Sequence, residues 1–231
     1  MAAIARSPLQ PYQREFVEFL LASNALTFGD FVTKSGRKTP YFINTGRFDD
    51  GRKIAELGRF YAAHIVQHGL DGSEIIFGPA YKGIPLAVTT AAALHQHHGR
   101  NIGFAFDRKE PKEHGDGGLL VGHPIAPGAR VVIVEDVITA GTTLRHIVPL
   151  LEKLAPGVTI PGVVLAVDRC ERGTAELSAV QEASRSSGLS IYPIVTIHDI
   201  VTHLREMPGS PLTADLSARI DAYLSEYGVQ Q

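Results

Sequence analysis

The sequence holds one cysteine, Cys170, among 231 residues. That excludes an internal disulfide and fits a reducing compartment. No stretch approaches the roughly 18 consecutive apolar residues of a membrane span, and the N-terminus lacks the apolar core of a signal peptide. A cytoplasmic protein without a membrane partner is therefore expected. Charge of one sign is scarce too: 22 Lys and Arg against 24 Asp and Glu leave −2. Without a general basic field a nucleic-acid partner is not expected, and an anionic ligand has to be held by local clusters. There is no internal repeat, low-complexity block or interdomain linker. The lysine of a Walker loop, the G-x-G-x-x-G of a dinucleotide fold and a Ser-His-Asp or Cys-His arrangement are all missing. The apolar fraction of 44% and charged fraction of 20% are those of a soluble globular chain.

What is present centres on residues 131–143, V-V-I-V-E-D-V-I-T-A-G-T-T. Val131, Val132, Ile133 and Val134 read as a buried parallel strand. Two carboxylates follow, Glu135 and Asp136, then a small, hydroxyl-rich loop. Leu144, Ile147, Val148, Leu151 and Leu154 then repeat at helical spacing. A Gly/Thr loop at a helix start offers backbone N–H groups, hydroxyls and the positive end of the dipole, which suits a phosphate. The acidic pair would repel a phosphate, so it should face sugar hydroxyls or a phosphate-bound cation. Phosphate, vicinal hydroxyls and metal together describe a phosphorylated ribose.

Three other segments carry polar residues after strand-like runs. Residues 78–83, G-P-A-Y-K-G, connect a short strand to an Ala-rich helix, with Lys82 at its mouth. Residues 107–118, D-R-K-E-P-K-E-H-G-D-G-G, contain no apolar residue except Pro111 and end in glycines, as a mobile lid would. Residues 168–173 read D-R-C-E-R-G. In a parallel α/β sheet such loops gather at the carboxyl edge and share one cleft. Upstream, residues 27–34 and 39–44 read as a hairpin, with Lys34, Arg37 and Lys38 around its turn and Tyr41 and Phe42 beyond, a combination suited to a flat anionic ring. A helix is expected from Pro11, with Tyr12, Phe16, Phe19 and Leu20 on its apolar face. His95, His97 and His98 lack the i, i+4 spacing of a metal pair and read as surface residues at a helix end.

The motifs KSGRKTPYF (34–42), GPAYKGIPLA (78–87), FDRKEPKEHGDGG (106–118), EDVITAGTT (135–143) and DRCERG (168–173) resemble those of orotate phosphoribosyltransferases, of the type I phosphoribosyltransferase family. The resemblance implies an α/β type I phosphoribosyltransferase fold: a central, mostly parallel sheet flanked by helices, with a small hood. One domain would span 1–231, the hood mainly within 11–45 and the core from about 46. It implies transfer of the 5-phosphoribosyl group of 5-phosphoribosyl 1-diphosphate (PRPP) to orotate, with Mg²⁺ held mainly through PRPP, by a single-function homodimer. Tyr81 and Lys82 would hold diphosphate, and Arg108, Lys109, Lys112 and His114 would close over it, partly from the neighbouring subunit. Glu135 and Asp136 would hold the ribose hydroxyls, with Val137, Ile138, Thr139, Ala140, Gly141, Thr142 and Thr143 around the 5-phosphate. Lys34, Tyr41, Phe42, Thr139 and Arg169 would surround orotate, Arg169 pairing with its carboxylate. The catalytic set would be Lys109, Lys112, His114 and Asp136. The resemblance also implies a cis Ala80–Tyr81 bond. The family's acidic pair is usually Asp-Asp, so Glu135 is a departure. A purine-salvage transferase would share 131–143 but not the hairpin or Arg169. A PRPP-sensing regulator would want a DNA-reading domain or a basic face.

Overall fold

A computed structural model of the chain describes residues 8–33, 36–112, 118–138, 141–173 and 176–229, and only the backbone of 111 and 112. In chain order its elements are α1 (Pro11–Ala22), β1 (Leu26–Val32), β2 (Lys38–Ile43), α2 (Gly51–Gln67), β3 (Ile75–Phe77), α3 (Gly83–His98), β4 (Gly103–Lys112) and β5 (Gly118–Gly122). They continue through β6 (Arg130–Glu135), α4 (Thr142–Leu154), β7 (Thr159–Asp168), α5 (Ala179–Ser187), β8 (Ile191–Thr196), α6 (Ile197–Glu206) and α7 (Ala214–Tyr227).

The continuous apolar run of β6 is explained by helices on both sides of the sheet. Successive side chains of a strand point to opposite faces. Val132 and Val134 join Val164 and Ala166 in the core cluster that includes Leu57, Phe60 and Leu86 of α2 and α3. Val131 and Ile133 join Val163 and Leu165 in a second cluster with Leu144, Ile147 and Leu151 of α4. All four β6 valine and isoleucine side chains are completely buried. Neither face tolerates a polar residue, so the run does not alternate.

The main sheet has strand order β5-β4-β3-β6-β7-β8. β3 pairs in parallel with both β4 and β6, and the remaining pairs are parallel except β4 with β5. The chain leaves β3 towards one edge and returns to its other side as β6. The reversal point of the topology therefore lies between β3 and β6, where a sheet of this kind opens a crevice at its carboxyl ends. The loops after β3, β6 and β7 gather there, as the sequence implies.

The segment expected to be a twelve-residue lid differs. β4 runs on to Lys112, paired with Gly118, and an irregularity interrupts the register between Asp107 and Lys112. Residues 107–112 thus form the first arm of a hairpin. The arm carries no apolar alternation: beyond the buried Asp107, Lys109 and Glu110 are exposed. The rest of the expected lid, including His114, lies outside the described residues.

β1 and β2 form a separate two-stranded antiparallel sheet. The C-terminal helix α7 packs against β2, where Tyr41 and Tyr223 meet edge to face at 5.9 Å between ring centres. α1 reaches back to the core: Gln13 Nε2 donates to the Ile194 carbonyl at 2.6 Å, and the Tyr12 hydroxyl pairs with His64 Nδ1 at 2.8 Å. The small sheet is therefore packed by α7, and α1 is bonded into the core.

Candidate active site

The loop after β3 is built on two glycines in contact. A Cβ on Gly78 would land on the Gly83 carbonyl oxygen, and one on Gly83 would lie 2.6 Å from the Gly78 carbonyl carbon. Only glycine at both positions allows the loop to close on itself before α3 begins. Asp107, buried at the end of the regular part of β4, accepts a hydrogen bond from the Ala80 N–H at 2.6 Å. The Ala80–Tyr81 peptide is cis, as the resemblance implies. Tyr81 stands 71% exposed, with Lys109 Nζ 5.8 Å from its ring centre. Lys82 lies at the α3 mouth and reaches across the cleft to Asp136 Oδ2 at 2.8 Å.

The loop after β6 splits the acidic pair. Asp136 faces Lys82 and lines a cavity of about 160 Å³ walled by Phe48, Ile54, Leu57, Pro85 and Leu86. Glu135 instead lines a small cleft of about 30 Å³ with Val137, Ile138, Gly141, Thr142 and Thr143. Gly141 caps α4 in the left-handed conformation, φ 62°, with Thr142 and Thr143 as the first helical residues. That presents the free N–H groups and hydroxyls expected of a phosphate cradle. Thr139 and Ala140 lie outside the described residues. Glu135 is 8% exposed, and its carboxyl is pushed up to about 7 by burial and by the neighbouring Asp136. A hydrogen bond from Thr143 and the charges of Lys82 and Lys109 work in the opposite direction. Tyr61, completely buried, donates to the Glu135 carbonyl at 2.7 Å and anchors this corner.

The loop after β7 aims Arg169. Cys170 has a positive φ of 51°, and its N–H donates to Asp168 Oδ1 at 2.8 Å, turning the chain sharply. Glu171 Oε1 accepts from Arg169 Nε at 3.0 Å, from Arg169 Nη2 at 2.7 Å and from the Tyr41 hydroxyl at 2.6 Å. One edge of the guanidinium is thereby fixed, and its outer N–H groups are left for a ligand. Cys170 is buried and is no nucleophile in this setting.

One reading of the hairpin needs correction. Tyr41 does not offer a ring face to the cleft: it is completely buried, with Arg169 5.1 Å above its ring centre, and it supports Arg169. Arg37, one of the three cations around the turn, is engaged within the protein. It donates to the Arg172 carbonyl at 2.9 Å and the Gly173 carbonyl at 3.3 Å, and it lies 5.1 Å over the Tyr227 ring. Phe42 is on the outward side of β2, 37% exposed and stacked on Phe31 at 5.5 Å. Lys34 and the Lys112 side chain lie outside the described residues; Arg108 points along the hairpin arm towards the Gly118 carbonyl at 3.5 Å.

Sequence patterns missed the residues that hold the site together: Thr45, Tyr61, Asp107 and Glu171. Asp107 stood inside a polar run taken whole, and Glu171 was read only as a member of D-R-C-E-R-G. Thr45 and Tyr61 carry no local signal, since their partners are far away in sequence.

The sequence model of the family described as Phosphoribosyl transferase domain matches residues 44–179. The orotate phosphoribosyltransferase of Cronobacter sakazakii is 48% identical over 221 residues, 96% of this chain and 100% of that protein. This chain belongs to the orotate phosphoribosyltransferase family. Its members are pentosyltransferases. The orotate phosphoribosyltransferase of Salmonella agona is 47% identical over the same extent. The crystal structure of the Francisella tularensis enzyme of this family superposes with a TM-score of 0.81 at 32% identity, over 93% of this chain and 99% of that one. The Mycobacterium tuberculosis orotate phosphoribosyltransferase, 24% identical with a TM-score of 0.63 over 82% of this chain and 99% of that one, shares the fold.

Proposed function

We propose that the protein transfers the 5-phosphoribosyl group of PRPP to orotate, releasing diphosphate and forming orotidine 5'-phosphate on the route to UMP. The observation that carries this reading is the meeting of Lys82, Asp136 and the Gly141–Thr143 cradle at one crevice, with Arg169 fixed at the neighbouring strand end. An anionic phosphate, a pair of sugar hydroxyls and an anionic base each find a partner of suitable chemistry.

In this mechanism the 5-phosphate sits on the N–H groups and hydroxyls opening α4, and Asp136 takes a ribose hydroxyl. Lys82 and Tyr81 hold the diphosphate. The orotate ring nitrogen attacks the anomeric carbon as the bond to diphosphate breaks, with inversion, through an oxocarbenium-like transition state. No covalent protein intermediate is required. Negative charge gathers on the leaving diphosphate and is met by Lys82, by Arg108, Lys109 and Lys112 of the hairpin arm, and by His114. The outer edge of Arg169 receives the orotate carboxylate, with Lys34, Phe42 and Thr139 around the ring and Tyr41 beneath the arginine.

Mg²⁺ would supply charge neutralisation of the diphosphate. It would be held mainly through PRPP oxygens, with the carboxylates of Glu135 and Asp136 as hard donors nearby and no direct protein ligand required. The enzyme works as a cytoplasmic homodimer that shares arm residues between subunits, with hood 11–45 and core 46–231 as one domain. The test is loss of orotate absorbance on adding PRPP and Mg²⁺, run beside adenine, guanine and hypoxanthine. Turnover confined to orotate is expected. Folded protein that leaves orotate unchanged sinks the reading, and turnover of a purine instead moves the chain to salvage.

A further inference from the structure

Thr45 stands at the corner where Lys82 and Asp136 meet. It opens a 3-10 turn, Thr45–Arg47, directly after β2. That turn does not need the threonine hydroxyl. Asn44 Oδ1 accepts from the Gly46 N–H at 3.0 Å, the Asn44 N–H donates to the Ala25 carbonyl at 2.7 Å, and the Arg47 N–H donates to the Asn44 carbonyl at 3.2 Å. The hydroxyl is turned into the site. It donates to Asp136 Oδ2 at 2.6 Å and accepts from Lys82 Nζ at 3.2 Å.

The other carboxylate oxygen of Asp136, Oδ1, accepts from the Val137 N–H at 2.8 Å. Oδ2 therefore has two described partners, Lys82 and Thr45. They differ in freedom: the Lys82 side chain is 65% exposed on a long flexible stem, while that of Asp136 is 12% exposed. Threonine has a stiff, branched side chain on a capped turn. The cavity walls beneath hold no replacement donor. Phe48, Ile54, Leu57, Pro85 and Leu86 are apolar, and the Tyr61 hydroxyl is engaged by the Glu135 carbonyl.

From this geometry we propose that Thr45 is a positioning residue for Asp136, keeping Oδ2 in place when Lys82 leaves the ion pair for the diphosphate of PRPP. The inference rests on the PRPP reading of the crevice. In the free protein Lys82 and Asp136 neutralise one another. When PRPP arrives, the ammonium turns to the diphosphate and the carboxylate to a ribose hydroxyl. Without Thr45 the carboxylate would lose its remaining side-chain partner at that moment. Because this support is the same in the bound and transition states, its loss appears in PRPP affinity more than in turnover.

Three variants separate the hydroxyl from the shape. Thr45→Ser keeps donor and acceptor. Thr45→Val keeps the volume and removes both. Thr45→Ala removes both and leaves room for a water molecule, which can restore part of the donation. Isothermal titration with PRPP and Mg²⁺, and steady-state kinetics with each substrate, are the measurements. Thr45→Val should weaken PRPP binding and raise its KM by about tenfold, the scale of losing one hydrogen bond to a charged group. Its kcat and the KM for orotate should stay within about twofold. Thr45→Ala should fall between, and Thr45→Ser should stay within about twofold of the parent throughout. A Thr45→Val protein with unchanged PRPP affinity overturns the proposal. So does a Thr45→Ser protein as damaged as Thr45→Val, or equal damage to both substrates, which marks a merely structural role. If the parent protein binds PRPP but leaves orotate unchanged, the proposed transferase reading fails while the titrations still decide Thr45. A parent that does not bind PRPP overturns both.

Discussion

Replacing Glu135 by glutamine should make the protein more stable as pH rises. The carboxyl is almost enclosed, beside Asp136, and its pKa is pushed up from the ordinary 4.5 to about 7. A carboxyl raised in the folded state contributes stability that is fully present below 4.5 and is lost as pH rises through about 7. At 1.36 kcal/mol per pH unit, the rise corresponds to about 3 kcal/mol. Glutamine keeps the shape and cannot ionise, so the variant escapes that loss. The stability of the variant minus that of the parent should therefore grow by about 3 kcal/mol between pH 4.5 and pH 8. The difference is the quantity to use, because His64, held down to about 3 by burial, weakens both proteins equally on the acid side. The chain has no tryptophan, so urea unfolding followed by far-ultraviolet circular dichroism at a series of pH values is the assay. A difference that stays flat with pH, or one that falls as pH rises, refutes the reasoning.

Gly78→Ala should abolish turnover and lower stability by several kcal/mol, since the new Cβ meets backbone, which cannot move aside as a flexible side chain can; normal thermal unfolding and activity would show that the loop can re-form. Arg37→Ala removes the tie from hairpin to residues 172 and 173, and it should raise the KM for orotate several-fold while leaving that for PRPP unchanged; steady-state kinetics with each substrate varied in turn checks the split. Lys112→Ala should lower kcat roughly 10²–10³-fold, the scale for losing one donor to developing charge, with single-turnover rates as the measurement; near-normal turnover removes Lys112 from the mechanism.

The fold was legible wherever burial is periodic. β6, α4 and the helices on either side announce themselves because the pattern of apolar residues follows directly from which faces are covered. The positions of the three loops after β3, β6 and β7 were legible for the same reason: strand ends are marked by the switch from buried apolar to polar residues. The hairpin arm at 107–112 was not, because beyond the buried Asp107 it shows no apolar periodicity and looks like a loop. The role of Tyr41 and the partners of Arg37 are not legible from local chemistry. An aromatic pair and a cluster of cations suggest a ligand, but Tyr41 lies under Arg169 through Glu171, 130 residues away, and Arg37 is engaged by carbonyls 135 and 136 residues away. Such partners are set by tertiary approach, which no local pattern encodes.

The split of the acidic pair also resolves a difficulty raised by the sequence itself, that two carboxylates should stand beside a phosphate cradle. Asp136 is turned away from the cradle and is neutralised by Lys82 at 2.8 Å. Glu135 is turned towards it, bonded to Thr143, in the environment that favours its uncharged form up to about neutral pH. A glutamate suits that position better than an aspartate would. Its extra methylene lets the carboxyl reach the Thr143 hydroxyl at the start of α4 while its carbonyl stays on Tyr61.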